Sequence, residues 1–213
     1  MPLLMTDWER SLWEAMVSAF EDGKSATLYE LCQGFLSRQP GNVPALALML
    51  HSLSSMFRFD ECEQLIRDNG PIWEEANDRR VWYRAMGAYL TRCGRHAEAE
   101  QALREGSILY VHPPGDLVLD IVESMISQGK LCSALQEIDE ILADVEQADL
   151  REDEQHELLE RRAFVLRNLG HLREALLAID QLQNLAAEPS RLEELRMDIA
   201  DACQAQVQLT KFS

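Results

Sequence analysis

The sequence predicts an all-α solenoid of about five helix pairs that ends in a C-terminal capping helix. One motif recurs five times along the 213 residues at nearly constant spacing. Apolar residues recur at intervals of three and four throughout, whereas runs that alternate at every second residue are absent. A helix–turn–helix repeat of this kind cannot bury its apolar face alone and must stack on its neighbours.

The clearest copy of the motif places apolar and small residues at fixed offsets around a turn glycine: Tyr83, Met86, Gly87, Leu90, Gly94, Ala99 and Leu103. The other four copies keep these offsets, so the predicted turn residues are Gly23, Phe57, Gly94, Gly129 and Gly170. Successive turns are 34, 37, 35 and 41 residues apart. Two copies depart from the pattern, since Phe57 replaces a glycine and Arg162 occupies a normally apolar position.

Capping and breaking residues predict the helix boundaries of the first pair. Asp7 is the expected N-cap of a helix over 8–20, which Gly23 ends. The second helix is expected over 25–38, and the proline and glycine of 39–42 stop it.

Helix-breaking residues also mark the boundaries of the later units. Asn69-Gly70-Pro71 closes the second unit, and 72–76 is an insertion before the third. Pro113-Pro114-Gly115 separates the third unit from the fourth. After Pro189, a last amphipathic helix is predicted with one apolar stripe, formed by Leu192, Leu195, Ile199 and Cys203.

A period close to 34 with this signature resembles the tetratricopeptide repeat (TPR) family, and the resemblance covers most of the chain. It implies a right-handed superhelix in one domain over 1–213. The predicted TPR-like units are 9–42, 43–77, 80–113, 115–150 and 156–189, and the capping helix is 190–212. The family also implies that the first helix of each pair lines a concave face on which a protein or peptide partner lies.

The chain is strongly acidic, with a formal charge of −17 and a pI of about 4.6. This charge argues against nucleic acid and anionic membrane surfaces as partners. It leaves open a basic partner, although solubility alone accounts for it. The stretch 144–160 holds eight carboxylates against one basic residue, Arg151, and is either a docking patch for a basic partner or a solvated loop.

Membrane insertion and secretion are not expected. The longest apolar run, 43–50, is interrupted by Pro44 and is too short to span a bilayer, and the amino terminus lacks the pattern of a secretory signal. Cys32 and Cys62 occupy core positions of the repeat. The five cysteines are therefore interpreted as reduced thiols of a cytoplasmic protein.

Residue patterns typical of catalysis, cofactor binding or metal binding are missing from the sequence. His156-Glu157 begins a zinc-protease motif, but Glu160 stands where its second histidine is needed. Cys93 and His96 supply two ligands, whereas structural zinc sites use four. No enzyme activity, metal or cofactor is therefore expected.

Residues offset by one or two from the core positions are expected on the concave face: Trp13, Val17, Phe20, Leu48, His51, Arg84, Ala88, Leu119, Glu123, Phe164 and Arg167. Some TPR proteins clamp a terminal carboxylate with Lys, Arg and Asn. The apolar residues here argue against that type of receptor. Trp13, Val17 and Phe20 suggest instead a pocket for an amphipathic or extended segment. Alternatively, they pack on residues 2–5 or in a homodimer.

Two functions follow from these observations. The first is a non-enzymatic adaptor or chaperone, of which the small repeat chaperones of bacterial secretion systems are one concrete version. The second is an obligate structural subunit of a larger hetero-complex.

Overall fold

The computed structural model describes residues 6–70, 75–143, 150–184, 196–197 and 199–200. The described residues form helices joined by short turns, with no strand among them, so the predicted all-α fold is confirmed. The helices are α1 Asp7–Glu21, α2 Ser25–Leu36, α3 Val43–Ser55, α4 Phe59–Asp68, α5 Ala76–Arg92, α6 His96–Ser107, α7 Gly115–Ser127, α8 Leu131–Ala143, α9 Glu152–Asn168 and α10 Leu172–Asn184.

All five predicted turn residues adopt a left-handed backbone conformation. Their φ angles are 66° at Gly23, 59° at Phe57, 72° at Gly94, 73° at Gly129 and 81° at Gly170. Each turn closes with the same two backbone hydrogen bonds, exemplified by the N–H of Gly94 to the carbonyl of Thr91 and the N–H of Arg95 to that of Leu90. This is the Schellman ending of a helix, and it confirms the register of the repeat.

The first helix begins one residue earlier than the sequence suggested. Its N-cap is Thr6 rather than Asp7, because the Thr6 hydroxyl accepts the Glu9 N–H at 3.3 Å while the Glu9 carboxylate accepts the Thr6 N–H at 2.7 Å. This reciprocal pair is a capping box, which satisfies two otherwise unpaired donors. The second helix ends at Leu36, two residues before the predicted boundary.

The chain divides into two compact units, Met1–Tyr110 and Val111–Ser213. In unit 1, Met16, Leu28 and Phe35 form a cluster that joins α1, α2 and α3. A second cluster around Trp82 joins α3 through α6. Stacking of successive pairs therefore builds the core of this unit, as the repeat pattern predicts.

Unit 2 has two main clusters. Val118, Ile138 and Leu158 join α7, α8 and α9, and a second cluster around Ile179 joins α9 and α10. Ile199 is fully buried in the second cluster. The other stripe residues of the predicted capping helix, Leu192, Leu195 and Cys203, lie outside the described residues. The capping helix and the single domain over 1–213 remain predictions.

The polar departure from the motif in the fifth copy has a structural reason. The Arg162 guanidinium on α9 donates to Asp139 on α8, with Nε and Oδ1 2.6 Å apart. An ion pair between neighbouring helices thus replaces an apolar contact. None of the helices in the described part of the chain is long and apolar enough to cross a membrane.

Candidate partner-binding surface

The predicted apolar stripe on α1 divides into residues that pack inside unit 1 and one that remains exposed. The Trp13 ring lies 6.0 Å from the Phe35 ring, and both Trp13 and Leu48 pack against the first core cluster. Val17 is half-buried, whereas Phe20 at the end of α1 is 42% exposed. Of these three stripe residues, Phe20 is therefore the one most available to a partner. Residues 2–5, the alternative cover for the stripe, lie outside the described residues.

Phe20 begins a row of contacts that crosses the first helices of all three pairs in unit 1. Its ring meets the His51 ring edge-on at 4.8 Å. His51 Nε2 lies 3.4 Å from Ser55 Oγ, and Arg92 Nη1 donates to the hydroxyls of Ser54 and Ser55, each at 3.0 Å. Phe20, His51, Ser55 and Arg92 are named here the first-helix strip. The strip brings an exposed aromatic ring and an exposed guanidinium onto one surface.

His51 is uncharged in this setting at neutral pH. Partial burial has the larger effect and the nearby positive charge of Arg92 the smaller, and both lower the pKa of the imidazole. A neutral ring beside Phe20 extends the apolar part of the strip, so Arg92 carries the charge of the strip.

Sequence reasoning missed Arg92 and Ser55, although it placed Arg84 and Ala88 on the same face. Arg84 is half-buried and Ala88 is exposed. Arg92 follows Arg84 by eight residues along α5, a separation that keeps both on neighbouring parts of one helical face. The signal was present in the sequence, but only the contacts to α3 show that Arg92 joins the strip.

In unit 2 the predicted face is only partly accessible. Leu119 is 8% exposed and packs in the core with Val122 and Leu158, so it offers no surface to a partner. Glu123 is exposed and lies 3.6 Å from Arg161 Nε, which joins α7 to α9. Phe164 is exposed and Arg167 is half-buried.

Part of the acidic stretch is structural. Glu154 is 6% exposed and accepts hydrogen bonds from the Arg151 N–H at 3.0 Å and from Arg151 Nη2 at 2.8 Å. Burial acts to raise the pKa of Glu154, but these bonds, the charge of Arg151 and a bond from the Asp116 N–H outweigh it and lower the pKa. The carboxylate therefore caps the N-termini of both α7 and α9. Gly115 makes room for it, because a Cβ there would lie 2.5 Å from Glu154 Oε2.

A second exposed feature of unit 1 surrounds the non-glycine turn residue. Phe57 is 73% exposed, and its ring lies 5.9 Å from the Phe59 ring, which lies 6.2 Å from the ring of buried Tyr89. The Tyr89 hydroxyl donates to Glu63 at 2.8 Å, and Arg95 Nη1 lies 2.6 Å from the same carboxylate. Phe57, Phe59 and Tyr89 are named here the aromatic ladder. The sequence predicted Phe57 as a turn residue that departs from the glycine of the motif, but not its contact with Phe59.

Within the described residues, no group of three or more His, Cys, Asp or Glu side chains is placed to hold a metal ion. The histidine and cysteine pairs considered in the sequence therefore gain no additional ligands in this part of the chain.

No family model matches the chain, and no curated protein matches it in sequence. Solved structures do match in fold. PilF of Pseudomonas aeruginosa is 14% identical with a TM-score of 0.69, and the match covers 96% of this chain and 88% of PilF. PilW, a type IV pilus biogenesis factor, is 14% identical with a TM-score of 0.65 over 96% of this chain and 94% of PilW.

A thermophilic TPR protein of Thermus thermophilus is also similar, with 17% identity and a TM-score of 0.57 over 92% of this chain and 99% of that protein. At identities this low, the structural similarity establishes the fold alone. The chain is an α-solenoid with the TPR-like fold, so the resemblance seen in the repeat pattern is confirmed at the level of the fold.

Proposed function

We propose that the protein is a non-enzymatic interaction scaffold, acting as an adaptor or chaperone that binds a protein or peptide segment on the first-helix face of unit 1. The observation that carries this proposal is the first-helix strip, which crosses α1, α3 and α5 without interruption. A segment lying across three helices gains contacts from each repeat in turn. Burial of an apolar side chain against Phe20 contributes about 1.5–3 kcal/mol before ordering costs.

The composition of the surface supports binding rather than chemistry. Its polar groups are hydroxyls, a neutral imidazole and a guanidinium, which recognise a partner through hydrogen bonds and charge. The buried Cys32 and Cys62 are free thiols, which supports the proposed cytoplasmic location. The scaffold is proposed to bind exchangeably, in contrast to an obligate subunit.

The proposal is tested by affinity capture from a native lysate with wild-type protein and Val17→Glu, with partners identified by mass spectrometry. Val17 lies one turn before Phe20 and is half-buried, so the added carboxylate places a charge beside the strip. We expect at least about tenfold lower recovery of a specific partner. The matched control is Leu177→Glu, because Leu177 is 61% exposed on the second helix of the last pair.

Unchanged partners with Val17→Glu, or equal loss with Leu177→Glu, would argue against binding on this face. Circular dichroism of both variants checks that the helices are retained. Sedimentation of the isolated wild-type protein separates the two functional classes. A scaffold stays monodisperse without its partner, whereas an obligate subunit aggregates or exchanges into oligomers.

A further inference from the structure

We propose that unit 1 selects extended segments that carry an aspartate or glutamate side chain close to an apolar side chain, with Arg92 as the contact for the carboxylate and Phe20 as the contact for the apolar group. This inference rests on the proposed function, because it names the chemistry of the partner that the first-helix strip accepts. It predicts an acidic partner for a chain whose own charge is −17.

The local charge of α5 is positive. This helix carries Arg79, Arg80, Arg84 and Arg92 against the single acid Asp78, a formal charge of +3. The excess of positive charge on one inner helix is opposite in sign to that of the whole chain. A partner selected only by net charge would be basic. Of the four arginines, Arg79 pairs with Glu105 and Arg92 alone is exposed, so Arg92 is the guanidinium that a partner on this helix meets.

The groups that hold Arg92 are uncharged. Several other arginines of unit 1 pair with carboxylates of the chain itself: Arg58 with Glu61, Arg79 with Glu105 and Arg95 with Glu63 and Glu98. Arg92 instead donates to two serine hydroxyls through Nη1. Neutral hydroxyls fix the position of the guanidinium without compensating its charge.

Arg92 thus keeps the capacity for a carboxylate. Within the described residues its hydrogen bonds use Nη1, which leaves Nη2 and Nε as donors in the planar arrangement that matches two carboxylate oxygens. The side chain is exposed, so a partner reaches it without rearrangement of the helix.

The strip also provides apolar groups beyond Arg92. Phe20 is half-exposed and its ring rests on His51, whose neutral ring continues the apolar surface. Ala88, one turn before Arg92 on α5, is small and exposed, and leaves space above the helix. A peptide segment that crosses from α5 to α1 meets the Arg92 guanidinium first and the Phe20 ring afterwards. Side chains within the segment, rather than its terminal carboxylate, therefore make both contacts.

The test uses the full-length protein and a phage library of random peptides about 12 residues long, displayed at the amino terminus of the coat protein so that no peptide has a free terminal carboxylate. We expect selection on wild-type protein to enrich Asp or Glu near Phe, Leu, Ile or Met. The strongest peptide is then synthesised with an amidated carboxyl end, and its binding is followed by fluorescence anisotropy.

For that peptide, Arg92→Gln is expected to weaken binding at least about tenfold, because a charge-assisted pair is lost. Arg67→Gln is the matched control, since Arg67 is exposed on α4 and contacts Gln64. We expect it to stay within about twofold. Raising salt from about 50 to about 300 mM should weaken wild-type binding and affect Arg92→Gln much less.

Replacing the acidic residue of the peptide by its amide tests acid recognition on the wild-type protein, so the test stays decisive even if Arg92→Gln disturbs folding. Replacing Asp by Asn in the peptide should weaken its binding to wild-type protein at least about tenfold. The same replacement should weaken its binding to Arg92→Gln less than about twofold. The library could instead yield apolar peptides without acidic residues, whose binding is lost with Val17→Glu but not with Arg92→Gln. That result would overturn acid recognition and leave the proposed function standing. Peptides insensitive to both variants, or no selected peptide, would overturn both.

Discussion

The two units share one repeat pattern but differ in the side chains that they carry. Unit 1 contains all four tryptophans, all four tyrosines and four of the six phenylalanines, whereas unit 2 contains two phenylalanines. Unit 1 has eleven basic and sixteen acidic residues, a formal charge of −5. Unit 2 has nine basic and twenty-one acidic residues, a formal charge of −12. The repeat therefore defines a backbone on which different surface chemistries are built.

These compositions lead to different contacts within each unit. In unit 1, guanidinium groups lie over aromatic rings, with Arg38 4.0 Å from the Trp8 centroid and Arg58 4.4 Å from that of Tyr29. In unit 2, small residues such as Ala163 and Ala175 are buried between helices, and a buried carboxylate caps two helix ends. Large amphipathic side chains suit a binding surface, which supports the proposal of a partner site in unit 1.

The largest expected effect comes from Gly115→Val in unit 2. The new Cβ would lie 2.5 Å from Glu154 Oε2 and 2.8 Å from Leu150 Cδ2, and it would displace the shared cap. We expect a loss of about 3 kcal/mol in the free energy of unfolding. Thermal melts followed by far-ultraviolet circular dichroism and by tryptophan fluorescence measure it, because every tryptophan is in unit 1.

An early transition in circular dichroism alone would show that the two units unfold separately. A joint shift of both signals would mean that they unfold as one cooperative structure, and the comparison between units would then not extend to stability. The control is Gly34→Ala in α2, where an added Cβ meets nothing within 4 Å. It should stabilise by about 0.5–1 kcal/mol through helix propensity.

A smaller effect is expected from Glu154→Gln. The amide cannot replace the charged hydrogen bonds to Arg151, so we expect a loss of about 1–2 kcal/mol at pH 7. The pKa of Glu154 is lowered in the folded state from an ordinary value of 4.5. Its contribution is therefore present above the unfolded pKa and is lost as pH falls through the folded pKa.

Urea unfolding at pH 7 and at progressively lower pH measures this difference, which should narrow once the pH is below the ordinary glutamate value. Glu157→Gln is the control, because Glu157 is exposed and lies 3.6 Å from Arg161. We expect a change within about 0.5 kcal/mol for it. If the difference in unfolding free energy between Glu154→Gln and wild type stayed constant with pH, the charged cap would be contradicted.

The smallest expected effect is a gain in stability for Phe57→Gly in unit 1. Phe57 has a φ of 59°, a conformation that disfavours a residue with a Cβ, and its ring is mostly exposed. Relief of this strain should exceed the lost ring contact and the added chain entropy by about 0.5–1 kcal/mol. The reverse change, Gly94→Val, should cost about 1–2 kcal/mol.

Both variants are measured by chemical unfolding under the same conditions. Nothing lies within 4 Å of a Cβ added at Gly94, so backbone strain alone determines the expected loss there. A lower stability for Phe57→Gly would show that the aromatic ladder contributes more than the strained turn costs. That result would sharpen the contrast with the glycine turns of unit 2.

The sequence by itself determined the helix pairs and the positions of their turns. Gly23, Gly94, Gly129 and Gly170 were predictable because a left-handed helix end favours the residue without a Cβ. Phe57 was predictable as a turn because the offsets around it matched, even though its residue type did not. Local backbone geometry and apolar periodicity act over a few residues, so they can be read along the chain.

Only the tertiary structure decided which side chains meet. Arg92 joins the strip through Ser54 and Ser55, 38 and 37 residues away in sequence. Leu119 had the spacing of a surface residue but packs in the core, and Glu154 belonged to an acidic run yet caps two helices. Contacts between helices depend on packing distances and on the partner that each charge finds, and these arise only when the pairs stack.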